Sequence, residues 1–266
     1  LLEHAAASGV GYCSLIQHSA GSGISNSIAW TAYQLIETYP ARADLLARLV
    51  SADAALSLLD LHALARLAAS DSAAPLADSL LAPAEQTQFA RFRHPKRRLE
   101  WLGGRLAAKH CLDQLAARGR IAPRSPHEHP ILPDAHGRPC LHVGGQTASP
   151  VHLSISHSSD HAAALACLGS ACGLDLERAS QRLVTVQARF TSPEEIAVLH
   201  ALSAPLTRLA VIWTVKEAVK KCWLADHPTF LSRIHLVGVA IEPGDPLATV
   251  QCRVDGLQGL QGVVRV

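Results

Sequence analysis

The sequence predicts an α+β fold, with helices and strands in mixed order along the chain. Alternating apolar and polar residues in "VHLSISHS" indicate a half-buried strand, and "TSPEEIAVLHAL" has the composition of a capped helix. Three further strand-like runs follow a second helical segment near the C-terminus. The chain has 266 residues, of which 48% are hydrophobic, so we expect a sizeable core in one large domain or two small ones.

Charge and cysteine content argue against several classes of protein. The net charge is only +2, so the composition does not indicate a nucleic-acid-binding protein. Seven cysteines occur without a CxxC pair, which argues against a zinc ribbon or disulfide framework and favours a reducing cytoplasm. No run approaches ~20 apolar residues, and "LLEHAAASG" has no basic region, so we expect neither a membrane span nor a signal peptide.

Residues 1–54 are predicted to form an N-terminal helical extension. A Gly/Ser-rich stretch, "HSAGSGISNS", precedes two segments with apolar residues at helical spacing. We therefore expect short helices over residues 28–39 and 42–50. No motif that carries chemistry occurs in this part of the chain.

The segment 81–119 predicts two helices separated at Pro95, because proline cannot continue a helix from the preceding turn. At ~100° per residue, three cations of the second helix lie within about 20° of one line: Arg98, Arg105 and Lys109. Such a positive ridge is either an anion-binding surface or a solvated helix face. This pattern by itself leaves both interpretations open.

Residues 119–150 are rich in Pro, Gly and His, which predicts loops with one short strand over 139–143. The alternating strand that follows ends at Ser156 and His157. The apolar run over 161–177 is then expected to form one or two more strands.

A helix should begin after Ser192, which is suited to the N-cap position. Pro193 fits the first helical position, and Glu195 is placed to complete a capping box. A second helix is predicted over 206–221, followed by strands over 234–242, 248–254 and 262–266.

The pentapeptide "GLDLE" places two acids on one side of a strand. Side chains alternate along a strand, so Asp175 and Glu177 lie ~6.6 Å apart on the face that also contains Gly173. Like charges at this separation repel each other unless a cation lies with them, and oxygen ligands of this kind suit Mg²⁺. We expect Gly173 to leave the face open for a large anion. The alternative is an exposed sheet edge with two solvated acids.

The segment "WTVKEAVKK" adds a third acid on a helix. Trp213, Glu217 and Lys221 follow one another at intervals of four residues on one face, with Lys216 beside them. The pattern is either a surface salt bridge or a third metal ligand with lysines placed for phosphate. The indole of Trp213 indicates that this face packs against the protein.

These segments, in this order, resemble the Sfp-type 4'-phosphopantetheinyl transferases. The family pattern is Gly-x-Asp-x-Glu, then Phe-(Ser/Thr)-x-x-Glu, then Trp-x-x-Lys-Glu-(Ala/Ser)-x-x-Lys, and the chain has "GLDLE", "RFTSPEE" and "WTVKEAVKK". Upstream, "GRP", "SISHS" and "RRLEWLGGRLAAK" also match family segments, so the likeness spans residues 83–223. Ser154 stands where the family has Asn, and "CWLADHP" replaces a Gly-containing segment.

The resemblance implies an Mg²⁺-dependent transfer of 4'-phosphopantetheine from coenzyme A to a serine hydroxyl, with release of 3',5'-ADP. Asp175 and Glu217 would hold Mg²⁺, and Glu177 would do so directly or through water. Glu217 or a metal-bound water would accept the serine proton, and Lys221 would neutralise the transferring diphosphate.

The resemblance also implies contacts to coenzyme A. Ser156, His157 and Arg138 match phosphate-binding positions, Lys216 flanks the diphosphate, and the basic helix would serve the 3'-phosphate through Arg98 and Arg105. The remaining partner would be an acyl- or peptidyl-carrier protein, and fatty acid, polyketide, nonribosomal peptide and lysine-pathway carriers are all compatible with the sequence.

The family fold implies two similar α+β halves, related by a pseudo-twofold, with antiparallel sheet packed by helices and the site between the halves. We place the halves at residues 55–166 and 167–266, after the extension 1–54, and expect a cytoplasmic monomer. Two other functions stay open. A nuclease of the Asp…Glu-x-Lys kind would need its Glu-x-Lys on a strand beside the Asp, and a coenzyme A- or carrier-binding module would lack turnover.

Overall fold

The computed structural model describes residues 11–18, 27–34, 50–69, 80–144, 146–147, 150–158, 160–200, 204–224, 231–241, 248–256 and 261–265. Contacts divide the chain into two compact units. The first unit is Leu46–Gly169, and the second unit combines Leu1–Leu45 with Ser170–Val266. The boundaries 1–54, 55–166 and 167–266 that we placed from the sequence stay a prediction.

Strands β1 Gly11–His18 and β2 Ser27–Gln34 belong to the second unit. The first unit begins with a strand and three helices, which are β3 Ala54–Asp60, α1 Leu61–Ala69, α2 Pro83–Ala90 and α3 Pro95–Ala117. Its later strands are β4 Ile131–Pro133, β5 Pro139–Val143, β6 Gln146–Thr147, β7 Val151–Ser158 and β8 His161–Leu168. Strands β3, β8 and β7 form one antiparallel sheet, and β4, β5 and β6 form another. The predicted helix break at Pro95 and the strand over 139–143 are confirmed.

Small residues let α3 pack closely against the sheet of the first unit. A Cβ atom added to Gly103 would lie 3.1 Å from Ala162 Cβ on β8 and 2.4 Å from Leu61 Cδ2 on α1, and one added to Gly104 would lie 2.7 Å from Ile155 Cγ2 on β7. Farther along α3, Ala107, Ala108, Cys111, Leu112 and Leu115 are fully buried. The helix is therefore held against the strands by its own composition.

The second unit repeats the order strand, helices, strands. Its elements are β9 Cys172–Arg178, α4 Gln181–Val186, α5 Pro193–Val198, α6 Pro205–Trp223, β10 Ile234–Ile241, β11 Ala248–Val254 and β12 Gln261–Arg265. The predicted cap of α5 is confirmed: Ser192 Oγ accepts from Glu195 N at 3.4 Å, and Ser192 N donates to the Glu195 carboxylate at 3.0 Å. The run over 161–177 forms two strands.

The N-terminal segment supplies strands, which corrects the predicted helix over residues 28–39. Within the described ranges, β1 Gly11–His18 and β2 Ser27–Gln34 join the sheet of the second unit in the order β10-β11-β12-β2-β1-β9. Strand β1 pairs with β9, with Ser14 opposite Asp175. Pairing with a distant strand, rather than local spacing, decides the conformation here. The predicted helix over 42–50 falls almost wholly outside the described residues.

The two units share a buried glutamate–lysine ion pair as well as an order of elements. In each, a proline-initiated short helix places a glutamate, and a long helix places a lysine, in a buried ion pair. Lys109 Nζ lies 2.8 Å from Glu85 Oε2 in the first unit, and Lys216 Nζ lies 2.7 Å from Glu195 Oε1 in the second. This repetition agrees with the predicted architecture of two similar α+β halves.

In the part of the chain that the structure describes, no helix is both long enough and apolar enough to cross a membrane. The six cysteines with described side chains are free thiols, five of them buried.

Candidate active site

Strand β9 brings the acids of "GLDLE" against helix α6. Asp175 is nearly buried, with 9% of its side chain exposed, and Glu177 is half-buried near the end of the strand. A Cβ atom added to Gly173 would lie 2.1 Å from the carbonyl oxygen of Ala218 on α6. Gly173 therefore permits close packing of the helix on the strand, which corrects the expectation that it leaves space for an anion.

Lys221 lies beside the first of these acids. Its Nζ donates to Asp175 Oδ1 at 2.7 Å and to the carbonyl oxygen of Leu174 at 2.9 Å. A lysine near the end of α6 is also favoured by the negative end of the helix dipole. A charge-assisted contact of this length fixes the ammonium next to the carboxylate, so a cation already balances the charge of Asp175.

Glu217 lies one turn before Lys221 on α6. Its carboxylate is 18% exposed and accepts from Lys220 Nζ at 3.3 and 3.4 Å. Trp213, one turn earlier, packs its ring edge-on against Phe190 with centroids 5.1 Å apart. The prediction that the indole side of this helix packs against the protein is confirmed.

Lys216 is buried inside the second unit in this structure, and its expected contact with coenzyme A stays a prediction. It is 1% exposed, and both carboxylate oxygens of Glu195 lie within 2.9 Å of its Nζ. Burial lowers the pKa of Lys216, and the charge of Glu195 opposes that shift. Its ammonium is held inside the second unit by the carboxylate of Glu195.

The acids do not form a preassembled metal cage. Among the described residues, no three His, Cys, Asp or Glu side chains come together as possible metal ligands. Asp175 and Glu177 are nevertheless oxygen donors on one side of one strand, and Asp175 already binds a cationic group. Mg²⁺ usually takes one or two carboxylates and completes its shell with water and phosphate oxygens, so the donor chemistry fits this ion.

The basic ridge of α3 divides into residues with different surroundings. Arg98 is exposed, and its guanidinium carbon lies 4.3 Å from the centroid of Phe89. Arg105 is 9% exposed and lies over Trp101 at 4.7 Å, and within the described ranges its buried Nε finds no hydrogen-bond acceptor. Burial lowers the pKa of Arg105 to about 10, with Glu85 opposing the shift, so the group stays charged at neutral pH.

Lys109 does not belong to the predicted basic ridge, because its side chain is buried. It is 2% exposed and donates to the carbonyl oxygens of Pro126 and His129 at 2.6 and 2.8 Å, besides its ion pair with Glu85. Burial lowers its pKa, and Glu85 opposes the shift. Neither a solvated face nor a continuous anion-binding ridge describes α3.

The other predicted coenzyme A contacts are spread over the loops and strands of the first unit. Arg138 is exposed and donates from Nε to Asp134 Oδ2 at 2.9 Å. Ser156 is buried on β7, and His157 is half-buried with Nδ1 3.7 Å from Glu100 Oε2. Arg138 and His157 thus each lie beside an acid of the same unit.

The sequence analysis missed two groups that contact the residues predicted to bind coenzyme A. Glu100 has 7% of its side chain exposed and binds Arg97 Nη1 at 3.1 Å as well as facing His157. The other group is the aromatic pair Phe89 and Trp101 beneath the arginines. The sequence does contain a signal for both groups. Glu100 is the one acid in "PKRRLEW", and Trp101 beside it precedes Arg105 by four residues, a spacing at which ring and guanidinium can meet on a helix.

Comparisons with known proteins place the chain in a family. A family model described as the 4'-phosphopantetheinyl transferase superfamily matches residues 171–251. The holo-[acyl-carrier-protein] synthase of Shouchella clausii is 36% identical over 107 residues, which is 40% of this chain and 90% of that protein. The corresponding synthase of Staphylococcus saprophyticus is 33% identical over 87 residues, 33% of this chain and 72% of that protein.

A solved structure of the Bacillus anthracis holo-(acyl-carrier-protein) synthase, in complex with CoA (3',5'-ADP), is 24% identical. It covers 44% of this chain and 95% of that chain with a TM-score of 0.37, so the sequence relatives decide the assignment. Coverage of nine-tenths of a relative at 36% identity, with the acid strand and the lysine helix inside the matched region, shows that the chain belongs to the 4'-phosphopantetheinyl transferase superfamily.

Proposed function

We propose that this chain is an Sfp-type enzyme that transfers 4'-phosphopantetheine from coenzyme A to a serine hydroxyl of an acyl- or peptidyl-carrier protein, releasing 3',5'-ADP. The observation that carries the proposal is the contact between Lys221 on α6 and Asp175 on β9, inside the region that matches the superfamily. It joins a carboxylate for a metal and an ammonium for a phosphate within one compact unit. The repeated order of elements in the two units supports the Sfp type.

Mg²⁺ is the cation that we infer for this site. Asp175 and Glu217 would hold it, with Glu177 as a direct or water-mediated ligand. Bound there, the ion would supply charge neutralisation at the diphosphate. In this structure Lys221 contacts Asp175 at Oδ1, and Lys220 contacts both carboxylate oxygens of Glu217. Glu217 would therefore have to give up part of its lysine contact when it binds the ion, whereas Asp175 could keep Lys221 beside it.

Two residues of the chain would act on the reacting groups. The serine oxygen attacks the β-phosphorus of coenzyme A, the bond from that phosphorus to the oxygen of 3',5'-ADP breaks, and the serine proton passes to a base. Glu217 is the base that we infer, because its carboxylate is partly exposed on the same helix as Lys221. Lys221, held beside Asp175, would stabilise the negative charge that develops on the leaving diphosphate oxygen.

The first unit would serve the nucleotide end of coenzyme A. A guanidinium that is mostly buried and has a buried Nε without an acceptor, in the described part of the chain, is a costly arrangement that an anion would stabilise. Arg105 therefore supports a site for the 3'-phosphate, with Arg98 at the exposed end of the same helix. His157 and Ser156 on β7 and Arg138 would contact the remaining phosphates.

The structure bears on one alternative function. A nuclease of the Asp…Glu-x-Lys kind requires its lysine motif on a strand, and Glu217, Lys220 and Lys221 all lie on a 19-residue helix. A non-catalytic binding module has the same fold as an enzyme and must be separated by turnover.

The test is mass gain of carrier proteins. The purified chain is incubated with coenzyme A, Mg²⁺ and a panel of apo-carriers from fatty acid, polyketide, nonribosomal peptide and lysine pathways, and each carrier is weighed by mass spectrometry. We expect one phosphopantetheine on at least one carrier, lost on chelation of the metal and in Asp175→Ala at any Mg²⁺ concentration. Transfer at the normal rate by folded Asp175→Ala would overturn the metal assignment, and coenzyme A binding without transfer would indicate a binding module.

A further inference from the structure

Four side chains of α2 and α3 form a continuous stack in the first unit. The guanidinium of Arg98 lies over the ring of Phe89, and the ring of Phe89 stacks on Trp101 with centroids 5.8 Å apart and planes 30° apart. The guanidinium of Arg105 lies over the other partner, Trp101, at 4.7 Å. The order is cation, ring, ring, cation, and we call this set the arginine–aromatic stack.

We propose that Phe89 and Trp101 are positioning residues that hold the guanidiniums of Arg98 and Arg105 ready for the 3'-phosphate of coenzyme A. This inference rests on the proposed function and extends it from the arginines that bind the phosphate to the rings that orient them. Neither ring touches the reacting atoms.

The geometry of a guanidinium makes a ring a suitable support. All five N–H donors of arginine lie in the plane of the group, so a ring beneath that plane stabilises the cation without occupying any donor. A phosphate approaches the edge of the plane and can accept two parallel hydrogen bonds there. An acid in place of the ring would instead consume the donors and oppose an incoming phosphate.

The surroundings of Arg105 show why it needs such a support. The acid whose charge acts on Arg105, Glu85, is already bound by Lys109 at 2.8 Å and by the backbone N–H groups of Ala82 and Ile131 at 2.9 and 3.1 Å. Trp101, four residues before Arg105 on α3, is therefore the close contact that offsets the burial of its charge. Phe89 reaches this indole from α2 and so fixes the plane of Trp101.

The competing explanation is that the stack only joins α2 to α3. Phe92 provides a control for it, because its ring also contacts Trp101, with centroids 5.7 Å apart and planes tilted by 42°. Among the described residues, no guanidinium lies over Phe92. Shortening Phe92 therefore removes apolar packing from the same cluster and leaves both cation–ring contacts in place.

The experiment compares equilibrium binding of coenzyme A and dephospho-coenzyme A by calorimetry, with Mg²⁺ present. The variants are Trp101→Leu, Trp101→Phe, Phe92→Leu and Arg105→Ala, each in the full chain and each checked for folding by thermal denaturation. We expect the wild-type chain to prefer coenzyme A, and Trp101→Leu to lose roughly tenfold of that preference. Trp101→Phe should retain most of the preference, because it keeps a ring, and Phe92→Leu should leave it unchanged.

The outcomes separate the two levels of inference. If the wild-type chain binds neither ligand, the phosphate site and the proposed function fail together. If it binds both equally, the phosphate site fails and the transfer is decided by the carrier assay. If Arg105→Ala loses the preference while Trp101→Leu keeps it, the phosphate site stands and the positioning role is refuted. An equal loss in Phe92→Leu and Trp101→Leu would also refute it in favour of packing alone. Should Trp101→Leu fail to fold, Phe89→Leu gives the same comparison through the second ring.

Discussion

Removing one carboxylate from the buried ion pair of the second unit should destabilise the protein strongly. Glu195→Gln keeps the shape of the side chain and removes its charge. Lys216, which is 1% exposed, then keeps at most one of its two acceptors at 2.7 and 2.9 Å and loses the opposing negative charge. Glu195 also accepts from the backbone N–H groups of Ser192 and Leu236, at 3.0 Å each, and an amide oxygen can replace only one of these acceptors.

The magnitude follows from this set of contacts. Breaking a buried pair by removing one partner costs about 3–5 kcal/mol, because an ammonium is left buried and unpaired. The neighbouring variant Glu194→Gln is the control, since it removes the same charge from an exposed position one residue earlier on α5. Its effect on the free energy of unfolding should be much smaller, because a solvent-exposed charge near a helix N-terminus is screened by water.

The assay is urea denaturation followed by tryptophan fluorescence, with hydrogen exchange of α5, α6 and β10 as a local measure. A cycle with Lys216→Met tests the cause of the effect. Because the double variant Glu195→Gln, Lys216→Met contains no buried charge, it should be more stable than Glu195→Gln alone. Glu85→Gln in the first unit should repeat the loss, since Glu85 makes the equivalent contacts to Lys109, Ala82 and Ile131.

A small loss would refute this reasoning. If Glu195→Gln reduced the free energy of unfolding by less than about 1 kcal/mol, the pair would behave like a solvent-exposed salt bridge. Strict additivity of the two single losses in the double variant would likewise show that the carboxylate and the ammonium do not stabilise each other.

Two further predictions concern α6. Lys221→Ala should lower kcat by ~30- to 1000-fold with little change in coenzyme A affinity, because it removes charge stabilisation at the diphosphate. Lys220→Ala should mainly raise the KM for the carrier, in a salt-dependent way. Steady-state kinetics at two ionic strengths measure both effects, and an exchange of the two effects would contradict the assignment. Gly173→Ala should destabilise the chain by about 1–3 kcal/mol or more, because the added methyl group would lie 2.1 Å from the carbonyl oxygen of Ala218. An unchanged midpoint of urea denaturation would show that α6 can move away from the strand.

The features that the sequence predicted well are those decided within a few residues. The cap of α5 depends on Ser192, Pro193 and Glu195, which lie within four positions, and all three take their predicted places. The helix break at Pro95 is local in the same way. For such elements the physical cause and the signal occupy the same stretch of chain.

The features that it predicted poorly depend on distant partners. The segment Ser27–Gln34 has apolar spacing that suits a short helix, yet it becomes a strand because β12 and β1 lie on either side of it in the sheet. Gly173 was expected to face open space, and the residue that fills that space is Ala218 on α6. The resemblance places Lys216 beside the diphosphate, and the group that binds it in the structure is Glu195, 21 residues earlier.

The repeated ion pair also shows where the two units differ in chemistry. Counted from the buried lysine, α6 has Glu217 at the next position and Lys221 four residues after that. Counted in the same way from Lys109, α3 has His110 and Gln114, so it lacks both the acid and the second ammonium. The shared scaffold therefore requires only the pair itself, and the positions that follow it are free to differ.

This difference explains why the acids of the proposed site concentrate in the second unit. The first unit has the scaffold lysine but His110 where the second unit has Glu217. The side chains that distinguish its long helix are arginines nearer the N-terminus, Arg98 and Arg105, which lie against aromatic rings. Cations without matching acids suit an anionic ligand, whereas paired acids with lysines suit a metal and the phosphate that it binds. Under the proposed function, the first unit would recognise the nucleotide and the second unit would carry the transfer chemistry.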